Sequence, residues 1–504
     1  GSLSVALGCR NVGVLIGETG NGAAEEGWPW YCIWYQTRYK TMAISEVYQL
    51  PIVAGLIEEQ LDPEHELLVL ARKLDWYAIH KTVKPYYKLK GRQAKDSRLM
   101  IGLLILKHRL DLSDQEAVAG LKENLYWRVF CGLHGQIGLK RHTSVLNSSS
   151  LTKFRNRLGP KGVREIEHVI RKQLVDDGSI DPQSMYIDTT AQEKNVAYPV
   201  DTHLLNKAQE RLRNGIQKLN RLGLKTPVRN FSRKAKRAVL LAAKLGGNRK
   251  ERITDANRKL IRINRETQKS LKAALKAKNP KLNRKKQEKI KKVKAELKQL
   301  NGLVERVIDQ TEQRMQDVHV PNKVLSLHEP EVAAIPKGKR SKPNEYGSKV
   351  ALFNDNNGFI VGHTEYPHNV ADTSTLEEAV NQWEEALGQK PDELGADRGF
   401  HTPDLPENVK QIPTIAIPTK GSKKHPDHKK PSFKRLQRKR AAQEPIISHL
   451  KHDHRMDRCR YKGFAGDQIN VSLAVIAWNT KKWVRLDKAK QSKQRKGGRM
   501  LNTA

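Results

Sequence analysis

The sequence predicts an α/β domain with a mixed sheet, preceded by an all-α domain and split by a long basic helical insertion. Three observations lead there. Short apolar strands deliver Asp188 and Asp397, and a helix-like segment carries Glu444. Residues 201–310 hold 33 Lys and Arg against 9 Asp and Glu, yet keep apolar residues in a regular helical seam. Ahead of the first strand, from about residue 61, the apolar spacing is helical.

Charge sets the class of partner. The 504 residues carry 93 Lys and Arg against 54 Asp and Glu, a net charge of +39. Such a surface repels itself unless it meets a polyanion, so nucleic acid is the expected partner and an anionic membrane the weaker alternative. No apolar run approaches the roughly 20 residues that span a bilayer. Cys9, Cys32, Cys131 and Cys459 lie far apart with no CxxC pair, which predicts a reducing, cytoplasmic compartment rather than a disulfide framework.

Residues 1–41 are rich in Gly and Trp without periodicity and read as a poorly structured leader, with Met42 as a natural start. Residues 42–135 read as a helical domain. Its signs are the apolar helix at residues 98–110 and a capping box formed by Ser113 and Glu116. These helices suit a DNA reader and an inert scaffold equally. Residues 136–180 form a helical connector, in which Lys153, Arg155 and Arg157 offer a second DNA contact before Gly159-Pro160 stops the first helix.

The catalytic domain is expected at residues 181–202 and 319–485. In the basic insertion, residues 203–318, Ile290, Val293, Leu297, Leu300, Val304 and Val307 follow a 3-4-3-4-3 spacing. That seam predicts a helical hairpin or small bundle with a basic exterior, or a surface that pairs two protomers. After it, Asn357-Gly358 marks a hairpin between β-like runs at 349–353 and 359–364. A helix follows at 375–387, then the short strand with Asp397, a lysine-rich loop at 422–440, and an apolar helix at 471–483. Residues 486–504 read as a disordered basic tail.

A lone Asp at a strand end most often accepts turn hydrogen bonds. Three acids on separate elements of a very basic chain point instead to metal-dependent phosphodiester chemistry. Asp188, Asp397 and Glu444 lie 209 and 47 positions apart, so only the fold can gather them. Pro445 cannot donate a helical N–H, so the helix either spans 440–455 or begins near Pro445 with Glu444 at its cap. His449, His452, His454 and Cys459 form a competing cluster, but their spacing matches no usual zinc pattern.

These motifs, with Asn344-Glu345-Tyr346-Gly347-Ser348-Lys349-Val350, resemble the DDE transposases of bacterial insertion sequences, in the branch with a long insertion after the first catalytic strand. The resemblance covers most of residues 50–480. Its most specific part is the basic signature running through Arg440, Glu444, Lys451, His454, Arg455, Arg458 and Gly463. One departure is Gln437, where the family often has Tyr.

The resemblance implies a ribonuclease-H-like fold, with Asp188, Asp397 and Glu444 as catalytic residues and as ligands of two Mg²⁺ ions per active site, Mn²⁺ being an alternative. Asp188 would bridge both ions, and Arg398, Arg440, Lys451, His454, Arg455 and Arg458 would contact DNA. It also implies double-stranded DNA as the partner, both element ends and target, with a homodimer or larger assembly on it, in the bacterial cytoplasm at the nucleoid. A Mg²⁺-dependent nuclease and a domesticated, non-catalytic DNA-binding protein are the alternative readings.

Overall fold

The computed structural model describes residues 57–87, 94–134, 145–245, 247–278, 283–337, 343–421 and 425–501, with side chains to residue 490. The expected leader at residues 1–41 and Met42 lie outside these residues.

Six helices come first: α1 (Glu66–Lys73), α2 (Trp76–Val83), α3 (Ser97–Arg109), α4 (Asp114–Glu123), α5 (Leu125–Phe130) and α6 (Ser148–Asp176). Each begins at a side chain that accepts a first-turn backbone N–H, namely His65, Asp75, Asp96, Ser113, Asn124 and Asn147. Ser113 and Glu116 form the full capping box. The stop expected at Gly159-Pro160 is a kink: Gly159 takes φ 61° and ψ −173°, which glycine alone adopts cheaply, and α6 continues. Arg155, expected on a DNA face, is instead buried, paired with Asp114 at 3.1 Å and stacked on Tyr461.

Strand β1 (Ser184–Lys194) is followed by four helices: α7 (Asp201–Arg221), α8 (Ser232–Ala243), α9 (Arg249–Lys276) and α10 (Arg284–Met315). The heptad residues of α10 are all buried in a hydrophobic cluster shared with α7 and α9. The seam is therefore used up inside the chain and is not a protomer-pairing surface. Cations at the base of this bundle have acidic partners: Arg314 pairs with Asp201, Lys250 with Asp317 and Arg265 with Glu312. At the other end of α10, Lys285, Lys286, Lys289, Lys291 and Lys292 are exposed.

The chain returns through β2 (Ala333–Pro336), β3 (Asn344–Asn354), β4 (Ile360–Tyr366), α11 (Leu376–Leu387), β5 (Glu393–Gly395), α12 (Glu407–Lys410) and β6 (Thr414–Ala416). It closes with α13 (Pro431–Ala441), α14 (Gln443–Asp453), β7 (Arg458–Cys459) and α15 (Gly463–Leu501). Two expectations change here. Most of the lysine-rich loop is helix α13, and the last helix runs through the expected tail to Leu501.

The sheet is mixed, in the order β2-β3-β1-β5-β6, with β4 added to β3 and β7 to β1. β3 and β4 form the antiparallel hairpin predicted at Asn357-Gly358, while β5 and β6 run parallel to β1. β1 does not end at Asp188: that residue sits opposite Leu352, and pairing continues to Glu193 opposite Gly347. The outer edge of β4 is closed by side chains. Asn479 bonds both backbone groups of Ile360, and Arg171 donates to Val361 O.

Leu70, Leu103 and Phe130 of the first helices share one hydrophobic cluster with Ile187, Phe353, Trp383 and Ile476. The N-terminal helices and the sheet thus bury a common core, and α15 packs against α3, α6 and β4 to complete it. Each such side chain contributes roughly 1.5–3 kcal/mol when removed from water.

At the junction of α6 and β4, His363 lies buried between Glu167 (2.9 Å) and Glu365 (2.5 Å). Burial lowers its pKa, but the two carboxylates override that and raise it to about 9. A raised histidine pKa stabilises the fold fully below the ordinary 6.5 and loses that effect as pH rises through about 9. Stability should therefore fall by on the order of 3 kcal/mol across this window. The check is Tm against pH, and His363→Gln should flatten the decline.

Candidate active site

Asp188 is placed by β1, the central strand, and by the change from Ile187 facing the main core to an acid facing α13 and α14. Its Oδ1 accepts Thr189 N–H at 2.7 Å and its Oδ2 accepts Arg440 Nη2 at 2.9 Å. Asp397 follows the end of β5 and caps a short 3₁₀ turn, its Oδ1 accepting Gly399 N–H at 2.7 Å. Glu444 stands in the first turn of α14, near the positive end of the helix, and is largely in water. Arg440 belongs to the last turn of α13, so the segment around Pro445 is two helices broken at Ala442.

The three acids meet at Arg440. Its guanidinium is 2.9 Å from Asp188, 3.6 Å from Asp397 and 3.8 Å from Glu444. Burial pushes the Asp188 carboxyl above its usual range; Arg440 pulls it down and Asp397 pushes it up again. One cation thus balances a cluster of negative charge that would otherwise repel itself. Among the described residues no three His, Cys, Asp or Glu side chains form a ready metal cage. At this site the reason is visible, since the guanidinium lies among the carboxylates. Carboxylate oxygens are the donors that hard divalent cations take, so the donor set fits Mg²⁺ or Mn²⁺ in kind.

Two glutamines hold the helices on the sheet. Gln443 Nε2 donates to Tyr186 O at 2.9 Å and to Leu352 O at 3.3 Å, fixing the start of α14 across β1 and β3. Gln437 Nε2 donates to Ala396 O and Ala416 O, at 3.0 and 2.6 Å, tying α13 to the end of β5 beside Asp397. Sequence reasoning missed both roles, although Gln443 adjoins Glu444 and Gln437 marked the one departure from the family signature.

The basic residues expected around the acids divide. Arg398 and Arg458 are exposed. Lys451 is mostly buried and 3.4 Å from Glu345. Arg455, in a left-handed backbone conformation (φ 65°), is paired with Asp111 at 2.9 Å. His454 is a correction: it is fully buried, its Nδ1 is 3.0 Å from His108 O, and burial holds its pKa near 4. It braces α3 against the end of α14 and has no face for DNA. The competing zinc cluster also disperses, since His449 pairs with Asp453 and Cys459 is buried beside Lys194.

Comparison with known proteins adds two family matches. Residues 56–157 match a transposase domain of the DUF772 family, and residues 306–480 match a transposase DDE domain. The second takes in Asp397 and Glu444 and begins beyond Asp188, on the far side of most of the insertion. An uncharacterized protein of Rhizobium meliloti, ORF8 in the nfe locus, is 33% identical over 185 residues, covering 36% of this chain and 86% of the relative. No solved structure matches the chain.

Proposed function

The chain belongs to the DDE transposases of insertion sequences, and from that premise we propose the specific reaction, ligands and DNA contacts that follow. The protein binds the terminal inverted repeats of its own element, hydrolyses a phosphodiester at each end to free a 3′-OH, and joins that hydroxyl to target DNA. The observation that supports this most is the meeting of Asp188, Asp397 and Glu444 within 3.8 Å of one guanidinium.

Both steps are in-line displacements. In the first, water forms the new bond to phosphorus, the bond to the 3′ oxygen breaks, and that oxygen leaves as the 3′-OH. In the second, this hydroxyl attacks a target phosphorus and gives up its proton, and the target's own 3′ oxygen leaves. Asp188, Asp397 and Glu444 would hold two Mg²⁺ or Mn²⁺ ions, which when bound activate the attacking oxygen and stabilise the leaving one. Asp188, the most buried of the three and flanked by Asp397, would be a ligand held in place by its own strand. Arg440 neutralises the carboxylates in the free chain, and its guanidinium would be able to pair with a DNA phosphate once they hold cations.

The exposed lysines of the insertion, with Arg398 and Arg458, contact the DNA backbone without reading sequence. Pairing two element ends calls for at least two copies of the chain. The protein works at the bacterial nucleoid; no helix among the described residues is long and apolar enough to cross a membrane.

The test is incubation of the purified chain with element-end DNA, a target duplex and Mg²⁺. Cuts at the element termini and covalent joining of pre-cleaved ends to target are expected. Nicking without joining of pre-cleaved ends would instead mark a simple nuclease.

A further inference from the structure

A fourth acid stands beside the Asp397 turn. Asp372 begins the short 3₁₀ turn between β4 and α11, remote in sequence from Asp188 and 25 positions before Asp397. Its Oδ1 accepts Thr189 Oγ1–H at 2.6 Å, and Thr189 is the residue after Asp188 on β1. The same oxygen is 2.6 Å from Lys349 Nζ, which rises from β3 and also donates to Val370 O just ahead of the turn. Lys349 is nine-tenths buried, so its charge needs this partner. The other oxygen faces the Asp397 turn. A Cβ placed on Gly399 would fall 2.5 Å from Asp372 Oδ2 and 2.8 Å from Asp397 Oδ1. Two carboxylates therefore close on one carbon-sized gap, and only glycine leaves it open.

We propose that Asp372 is a positioning residue of the catalytic centre, which sets the Asp397 turn against the strand that carries Asp188. This rests on the reading that Asp188 and Asp397 hold divalent cations. The Thr189 hydrogen bond, the Lys349 ion pair and the close approach at Gly399 tie β1, β3 and the turn after β5 to a single side chain. Because Lys349 neutralises Asp372, the tie adds no net negative charge to the acids it aligns. Thr189 and Asp188, as strand neighbours, point to opposite faces of β1, so Asp372 supports the acid from behind while Arg440 meets it from the front.

The experiment is titration of Mn²⁺ into the full-length protein, read by electron paramagnetic resonance, with a thermal melt on each variant. Asp372→Ala should bind Mn²⁺ about 10–100-fold more weakly, the usual effect of removing a partner that orients ligands. Asp372→Asn keeps an acceptor for Thr189 but leaves the buried Lys349 charge without its counter-ion, so it should recover only part of the affinity. Gly399→Ala removes no acid, yet should weaken binding by pushing a methyl between the two carboxylates. Wild-type affinity in folded Asp372→Ala, or a lowered Tm with unchanged affinity, would overturn the proposal. Asp397→Asn is the control: if it too binds as wild type, the ligand reading itself fails, and if it alone binds weakly, only the role of Asp372 does.

Discussion

Asp188→Asn, Asp397→Asn and Glu444→Gln should each abolish strand cleavage while leaving affinity for element-end DNA within about threefold. The expected loss is about a thousandfold or more, roughly 4 kcal/mol of transition-state stabilisation. Each change removes one negative charge and little volume. Asn at 188 can still accept Thr189 N–H through its carbonyl, so β1 keeps its place. Its amide no longer offers Arg440 a carboxylate, and it is a poor ligand for a hard cation. DNA affinity should survive because, on the proposed reading, it resides in cations distributed elsewhere on the surface. Glu444 is the sharpest test of the three. It is the most exposed and the farthest from Arg440, so its loss has almost no structural cost and any defect must be chemical. Cleavage of a labelled end duplex, measured beside gel-shift affinity, separates the two effects.

Neutralising the exposed end of the insertion should do the converse. Changing Lys285, Lys286, Lys289, Lys291 and Lys292 to Gln should weaken DNA binding steeply and flatten its salt dependence. If all five meet phosphates, the slope of log K against log salt falls by roughly 4–5, at about 0.9 per contact. All five are exposed, and Lys286, though in line with the seam of Ile290, Val293 and Leu297, precedes its first buried residue, so the bundle's core is untouched and Tm should hold. The base of the bundle is a built-in comparison. Arg314, Lys250 and Arg265 already have acidic partners, so their replacement should alter the salt slope far less. An unchanged slope in the five-lysine variant would move the DNA surface off the insertion.

What could be read in the sequence were features that local chemistry determines. The Ser113–Glu116 capping box, the hairpin at Asn357-Gly358 and the buried seam of α10 need only neighbours along the chain. Asp188 and Asp397 could be picked out as candidates because each follows a short apolar run, and Glu444 because of the basic residues around it. Residues whose environment is set by distant partners were not. His454 looked like one more cation in a basic signature, yet its place is decided by His108, 346 positions away. Arg455 is likewise taken by Asp111, 344 positions away. β1 was read too short because Gln192 and Glu193 break apolar alternation. Gln192 is buried there only because Asp467 and Asn470 of the last helix supply its hydrogen bonds. Helix α13 was missed because it buries only Phe433 and Leu436 among many lysines and arginines, too few to show a period. Asp372 had no local signature at all, since its role is defined by three elements brought together only by folding.

The central claim is that Asp188, Asp397 and Glu444 gather around divalent cations when DNA is present. Anomalous diffraction from Mn²⁺ in crystals of the chain bound to element-end DNA tests it most directly. The account predicts Mn²⁺ peaks at coordination distance from carboxylate oxygens of all three acids, with Arg440 turned away toward a phosphate. Peaks elsewhere, or an Arg440 still seated among the three carboxylates on bound DNA, would contradict it.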